Sequence, residues 1–269
     1  MRGRTVTRRR IDAELVDRGL FASRERARAA VLAGEVRVDG EVVTKAGHAI
    51  ADDAVIDVAE RQRYVSRGGD KLAGALEVFD VAIDGRRAVD VGASTGGFTD
   101  CLLQRGAASV CAVDVGYGQL AWSLRTDDRV TVFERTNIRH ADPDLLGAPF
   151  DVVVIDVSFI SLRVVMESLL RLLGHGGDLV ALVKPQFEAG KGRVGKRGVV
   201  KDPEVHIDVL EAAVATAQEG GLVIRGLTFS PIKGPEGNIE FWMWAARDGA
   251  PTELMARDVA LAAHETLGG

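Results

Sequence analysis

Apolar residues follow two rhythms along this chain of 269 residues. From Arg87 onward, unbroken apolar runs alternate with stretches whose apolar positions recur three and four apart. The runs at 87–91, 109–113, 130–133, 151–155 and 177–183 have the continuity of strands buried on both faces. The spaced stretches predict helices over 97–105, 118–125, 160–173 and 203–219. Strictly alternating strand and helix is the pattern of an α/β fold with a mostly parallel, doubly wound, Rossmann-like sheet. Two more strands, 222–229 and 239–244, follow without a helix between them and predict a late antiparallel hairpin at one side of the sheet. A last helix is expected over 252–267.

The first part of the chain reads differently. Ile11, Leu15, Leu20 and Phe21 mark one short amphipathic helix, and Ser23 is placed to cap a second, Arg24 to Ala33, which Gly34 ends. Glu35–Val38, an Asp39-Gly40 turn and Glu41–Val43 form a strand-turn-strand pattern, and Ala54–Val58 is another strand. Residues 1–59 therefore predict a small α+β module. The short polar stretch 60–66 is a linker, and 67–269 is the α/β domain, entered by a helix running to about Phe79.

Composition adds compartment and partner. A hydrophobic content of 46% with 27% charged residues is that of a water-soluble globular chain. No apolar run approaches the roughly 18 residues of a membrane span, and no apolar segment follows the N-terminal arginines as a secretory signal requires. Cys101 and Cys111 fall on a helix and a strand, as buried free thiols of a reducing cytoplasm would. The five His show no ligand spacing, so no metal site is expected. The net charge of −5 is unevenly spread: residues 1–71 carry 15 Lys/Arg against 12 Asp/Glu, whereas 72–269 carry 19 against 27. A basic end on an acidic chain suits a polyanionic partner, although an arginine-rich face can also be simply solvated.

Candidate chemistry centres on Asp90-Val91-Gly92-Ala93-Ser94-Thr95-Gly96-Gly97-Phe98. Strand, glycine-rich turn and helix make a nucleotide-type cofactor site, and Asp114, at the end of the next strand and 22 residues after Gly92, is placed for a ribose diol. The glycine spacing is not that of a dinucleotide site. An acid at the start of the turn suits a cofactor bearing an ammonium and a sulfonium, such as S-adenosylmethionine. A corner with glycines present only for packing is the alternative. Asn137, or its neighbour Thr136, follows the third strand and is the candidate for the adenine edge. Lys71, Asp156, Lys184 and Glu240 stand at or near element ends where this fold places its ligands. Two lysines and two acids can neutralise one another and so cluster, with two ordinary surface ion pairs as the alternative.

These words carry a resemblance. Arg9-Arg10-Ile11-Asp12, Arg18-Gly19-Leu20, Ser23-Arg24 and Gly34-Glu35-Val36-Arg37-Val38-Asp39-Gly40 resemble the S4 RNA-binding domain. The resemblance implies phosphate contacts at Arg9, Arg10, Arg24, Arg26, Arg28 and Arg37; a small protein-docking domain with a charged surface is the alternative. Lys71, Asp156, Lys184 and Glu240 match the Lys-Asp-Lys-Glu tetrad of FtsJ-like ribose 2′-O-methyltransferases. Ser66-Arg67-Gly68-Gly69-Asp70-Lys71, Asp114-Val115-Gly116-Tyr117-Gly118-Gln119, Asp156-Val157-Ser158-Phe159-Ile160-Ser161 and Lys184-Pro185-Gln186-Phe187-Glu188, behind an S4 module, are similar to the TlyA family over nearly the whole chain. That resemblance implies S-adenosylmethionine-dependent methylation of cytidine 2′-hydroxyls in ribosomal RNA within ribosomal subunits, of the large subunit and in one branch the small. It implies Lys184 as general base, with Lys71, Asp156 and Glu240 around it. A monomer is expected. The Arg-x-Trp-Val linker of some members is Gln62-Arg63-Tyr64-Val65 here.

The loop 188–202, with four Gly and five Lys/Arg, is a candidate RNA clamp through Lys191, Arg193, Lys196 and Arg197, or else a disordered surface loop; Arg67, near the entry to the domain, is a further candidate RNA contact. Phe187 and Phe159 could stack a flipped nucleotide, core packing being the expectation for Phe159. Two other classes compete: a non-catalytic RNA-binding assembly factor, and a pore-forming haemolysin, which lacks both a membrane-length helix and a barrel pattern.

Overall fold

The computed structural model describes residues 8–58, 63–190, 192–195, 197–252 and 255–268. The chain divides into two units, Met1–Gln62 and Arg63–Gly269. In the first, β1 (Arg8–Arg10) leads directly into α1 (Ile11–Asp17), followed by α2 (Arg24–Leu32), β2 (Val36–Val38), β3 (Glu41–Val42), β4 (Ala49–Ala51) and β5 (Ile56–Val58). Strands β3, β2 and β5 form an antiparallel sheet, and β1 pairs with β4. Ile11, Leu15, Ala27, Val31, Val36 and Ile50 make the core. Helix α1 stops at Asp17 because Gly19 takes a left-handed turn (φ 72°), with Gly19 N donating to Val16 O and Leu20 N to Leu15 O. Ser23 caps α2 by accepting from Arg26 N, as the pattern predicts. The β1–β4 ribbon is not predicted, since three exposed arginines in a row carry no apolar alternation.

The second unit opens with Arg63–Ser66, part of the stretch read as linker, packed onto the unit itself. Val65 N donates to the Asp100 carboxylate and Gln104 donates to Arg63 O. Tyr64 is buried against Gly69, where any side chain would collide with the ring. Residues 60–62 of that stretch lie outside the described residues. Then follow α3 (Arg67–Phe79), β6 (Arg87–Val91), α4 (Gly97–Gln104), β7 (Ser109–Val113), α5 (Trp122–Arg125), β8 (Val130–Phe133), α6 (Pro143–Leu146), β9 (Phe150–Ile155), α7 (Leu162–Leu172) and β10 (Leu173–Val183). The unit ends with α8 (Pro185–Glu188), α9 (Pro203–Glu219), β11 (Val223–Phe229), β12 (Phe241–Ala246) and α10 (Ala256–Leu267).

Seven strands form one sheet in the order β11-β12-β10-β9-β6-β7-β8. The five from β10 to β8 are parallel, and β12 and β11 are antiparallel at one side, as the hydrophobic pattern predicts. Alternate residues of the central strands feed opposite cores. Val152, Val154 and Val180 pack with Leu72, Leu76 and Leu102 of α3 and α4. Val153, Ile155 and Ala181 pack with Leu169, Leu210 and Ala260 of α7, α9 and α10. The helix expected over 118–125 shrinks to Trp122–Arg125, because Gly118 is left-handed (φ 72°) and its N–H donates to Glu134 instead of a helical carbonyl. Strand β10 is longer than its apolar run, with a register break between Leu173 and Asp178.

Chain order reverses direction at β6, with β7 on one side and β9 on the other, and a crevice opens there at the carboxyl ends of the strands. The turn after β6 and the loop after β9 meet backbone to backbone. Gly92 (φ 87°) donates to Val113 O, and a Cβ at Gly92 would sit 2.2 Å from the Asp156 carbonyl oxygen. Gly92→Ala combines a disfavoured left-handed backbone with overpacking, and should destabilise the fold by about 2–4 kcal/mol. Urea unfolding is the check: the midpoint should fall with the slope unchanged.

Candidate active site

Three carboxylates gather around the crevice, two of them lining it and one beneath it. Asp90, on β6, is fully buried beneath the turn. Its Oδ2 accepts from Thr99 N (2.9 Å) and Thr99 Oγ1 (2.7 Å), while Oδ1 has no partner. Burial pushes this carboxyl up to about 7, against the two bonds from Thr99, and the charges of Asp156 and Asp114 add to the rise. Asp114, just after β7, accepts from Ser94 N (2.8 Å) through Oδ2 and from Gly116 N (2.6 Å) through Oδ1. Ser94 holds its left-handed backbone (φ 48°) within that turn.

Two cavities open beside the turn. The first, of about 470 Å³, is lined by Gly92, Ser94, Asp114, Gln119, Thr136, Asn137 and Asp156, with Val115, Ile138 and Val157 among its apolar walls. The second, of about 260 Å³, is lined by Ser66, Arg67, Gly68, Lys71, Gly92–Thr95, Gly97, Phe98, Asp156 and Pro235. Gly92, Ser94 and Asp156 belong to both. Asp90 and Gly96 line neither. Asp90 fastens the turn to α4 from below, and a Cβ on Gly96 would strike Leu124 and Leu120.

The four tetrad residues assemble as two ion pairs. Lys71 Nζ donates to Glu240 Oε2 at 2.5 Å, their side chains only 8% and 1% exposed. Glu240 stands one residue before β12 rather than on it, beside Gly234, where a Cβ would crowd Oε1. Lys184, the residue after β10, pairs with Asp156, the residue after β9, and its Nζ also lies 3.4 Å from Ser158 Oγ. Lys71 and Asp156 bring the two pairs to one cavity wall. Sequence reasoning did not single out Gln119, whose Oε1 accepts from Ser94 Oγ at 3.3 Å, nor Ser158 or Pro235; the first two stood only within motif words, and nothing marked Pro235.

Phe159 corrects an expectation. Instead of packing in the core it is 91% exposed on a left-handed backbone (φ 65°), with its ring centroid 5.0 Å from that of Phe187. Val157 and Ile160, on either side, supply the apolar packing of this loop.

Set against known proteins, residues 64–247 match the model of the FtsJ-like methyltransferase family and residues 9–56 match the S4 domain. The chain belongs to the FtsJ-like methyltransferase family. It is 48% identical to the 16S/23S rRNA (cytidine-2′-O)-methyltransferase TlyA of Mycobacterium tuberculosis, over 97% of each chain. It is 40% identical to Hemolysin A of Brachyspira hyodysenteriae, over 86% of this chain and 97% of the relative. A solved structure of a hemolysin-named protein from Streptococcus thermophilus superposes with a TM-score of 0.74 at 43% identity, covering 97% of this chain and 98% of the other.

The residues of this FtsJ-like protein proposed to meet RNA are differently engaged. In the S4 unit, Arg9 pairs with Glu14 and Asp17, while Arg10 and Arg24 both pair with Asp12. Arg37 donates to Gly40 O, and Arg26 and Arg28 are exposed without an ion pair among the described residues. In the methyltransferase unit Arg193 pairs with Asp208 at 2.5 Å, and Arg197 lines a separate cavity of about 600 Å³ with Lys201 and Lys233. Lys191 and Lys196 lie outside the described residues. No group of three or more His, Cys, Asp or Glu among the described residues could hold a metal ion.

Two outcomes follow from the charges. Lys71→Met should cost about 3–5 kcal/mol in urea unfolding, because Glu240 is left buried and unpaired, and adding Glu240→Leu should recover most of the loss. Asp90 ionises near 3.8 when unfolded but keeps its proton to about 7 when folded. The unfolded chain therefore sheds the proton first, and stability drains through this group as pH climbs between those values, by about 4 kcal/mol at most. Asp90→Asn should flatten the stability profile over that window relative to the parent protein.

Proposed function

We propose that the chain uses S-adenosylmethionine to methylate cytidine 2′-hydroxyls of ribosomal RNA, presented to a single copy of the protein within a ribosomal subunit in the cytoplasm. The observation that carries this reading is the pairing of Asp156 with Lys184 at the wall of the crevice. It occurs in a chain 48% identical, over 97% of its length, to an enzyme named for that reaction.

The residues present fit the cofactor. Asp114 offers carboxylate oxygens to a ribose diol, and Val115, Ile138 and Val157 offer apolar surface to a purine, with Asn137 and Thr136 at its edge. Gly92, Ala93, Ser94, Thr95, Gly97 and Phe98 line the smaller cavity, where a methionine moiety would lie beside Asp156. Asp114 and Asp156 make this edge electronegative, which suits a cation. When bound, S-adenosylmethionine supplies a methyl group made electrophilic by its sulfonium.

A ribose hydroxyl is a weak nucleophile, so the chain's task is to take its proton and aim its oxygen. Lys184 Nζ, in its neutral amine form and oriented by Asp156, accepts that proton as the oxygen attacks. Lys71, held by Glu240, lines the smaller cavity together with Asp156, and much of the rate comes from alignment. Phe159 and Phe187, beside an open groove of about 460 Å³, stack the target base once it leaves its helix. Arg26, Arg28 and Arg37 of the S4 unit, with Arg9, Arg10 and Arg24, meet phosphates, as do Arg67, Arg193 and Arg197. The hemolysin name of one relative finds no membrane helix here: among the described residues no helix is long and apolar enough to cross a bilayer.

The test is methyl transfer from labelled S-adenosylmethionine to unmodified ribosomal subunits, with the label mapped to nucleotide and to sugar or base. Label on a cytidine 2′-oxygen, with Lys184→Ala slower by at least about 100-fold, is the expected result. Cofactor binding without transfer to either subunit would redirect the search to another RNA; no cofactor binding would make the protein an RNA-binding factor.

A further inference from the structure

Two segments carry the outer half of the candidate site, and neither is regular where it matters. Asp156–Ser161, after β9, has no helix or strand and includes the left-handed Phe159. Lys184 stands at the start of the single turn α8, whose bonds are Phe187 N to Lys184 O and Ala189 N to Pro185 O, both 2.9 Å. With so few backbone bonds of their own, such segments depend on side chains for their placement.

One side chain ties them together with both of its oxygens. Glu188, half-buried at the end of α8, accepts from Ser161 Oγ at 2.6 Å through Oε2 and from Leu162 N at 2.7 Å through Oε1. Ser161 is the N-cap of α7, so the carboxylate sits at the positive end of an 11-residue helix, where negative charge is favoured. The tie lies four residues from Lys184 on one strand of chain and five from Asp156 on the other. Between tie and ion pair the two segments touch through Phe159 and Phe187.

We propose that Glu188 is a positioning residue for methyl transfer: by bridging α8 to the cap of α7 it sets the register between the Asp156 loop and Lys184. This rests on the reading that Lys184 takes the ribose proton. Without the bridge, β9 and β10 still bring Asp156 and Lys184 together, but the loop and the turn beyond them lose the tie that holds them in register. Catalytic alignment tolerates such slack poorly, since a displacement of about 1 Å can cost about 100-fold. A purely structural role would lower stability and activity in proportion. A positioning role lowers the chemical step more than either stability or cofactor affinity.

The experiment compares Glu188→Ala, Glu188→Gln, Ser161→Ala and the double variant Glu188→Ala/Ser161→Ala with Lys184→Ala. It uses full-length protein, labelled S-adenosylmethionine and unmodified ribosomal subunits, and records kcat, KM, cofactor Kd and Tm. Glu188→Ala should lower kcat by about 10- to 100-fold, with cofactor Kd within about twofold of the parent and Tm lower by only a few degrees. Glu188→Gln, which keeps one accepting oxygen, should recover part of kcat. The double variant should be no slower than Glu188→Ala, because both changes break one bridge. A kcat for Glu188→Ala equal to the parent, with Lys184→Ala inactive, would overturn the positioning role and leave the base assignment standing. Losses in kcat matched by equal losses in cofactor affinity or folded protein would overturn it too. An active Lys184→Ala would overturn the base assignment and, with it, the role of Glu188 in placing that base.

Discussion

An ammonium and a carboxylate taken out of water are tolerable only as partners, and Lys71 with Glu240 is such a couple. Lys71 lies on the helix that opens the unit, and Glu240 immediately precedes the strand inserted between β10 and β11. For the two to meet, α3 must lie on the sheet face it covers and β12 must be inserted in its register beside β10. Gly234, lacking a Cβ, leaves room for the carboxylate. The second couple, Lys184 with Asp156, is less deeply buried and stands at the ends of two neighbouring parallel strands. The inner pair thus depends on the whole unit being assembled, and the outer pair is the one that the proposed chemistry uses.

The crevice is organised by carboxylates that hold backbone as well as face it. Asp90 bonds the first turn of α4, Asp114 bonds Ser94 and Gly116, and the Asp156 N–H donates back to Val91. Turns from three strands are thereby stitched to one another around Gly92. The cost is an excess of negative charge, which adds to the burial that raises the proton affinity of Asp90. A cationic ligand relieves that excess and a polyphosphate aggravates it, which is why the same general fold can favour a sulfonium here.

Long apolar runs made the sheet legible: Val152–Ile155 and Leu179–Val183 bury both faces and leave little choice of element. Helix α9 ran from Pro203 to Glu219 as its period and Asp202 cap indicate. The tetrad was legible as residue types at strand ends, but its division into two pairs was not, since pairing depends on which strands lie adjacent in space. Single turns such as α6 and α8 escaped because four residues hold too little periodicity. Phe159 was misplaced because an aromatic beside a buried strand ordinarily packs inward. Its exposure follows from a backbone angle that no local residue announces. The β1–β4 ribbon was hidden for the opposite reason, its arginines being held by pairing across strands instead of by burial.

The 169 residues separating Lys71 from Glu240 bear on how the protein comes into being. At a synthesis rate of about 5–20 residues per second, the glutamate is made roughly 8–34 s after the lysine. Through that interval the nascent chain owns a complete glycine turn, and soon afterwards Asp156 and Lys184, but its deepest cation has no counter-charge. The first unit, whose core residues all fall between Ile11 and Val58, has a much shorter wait. A polypeptide stopped before Glu240 therefore carries the glycine turn, Asp156 and Lys184, but leaves Lys71 without its buried partner.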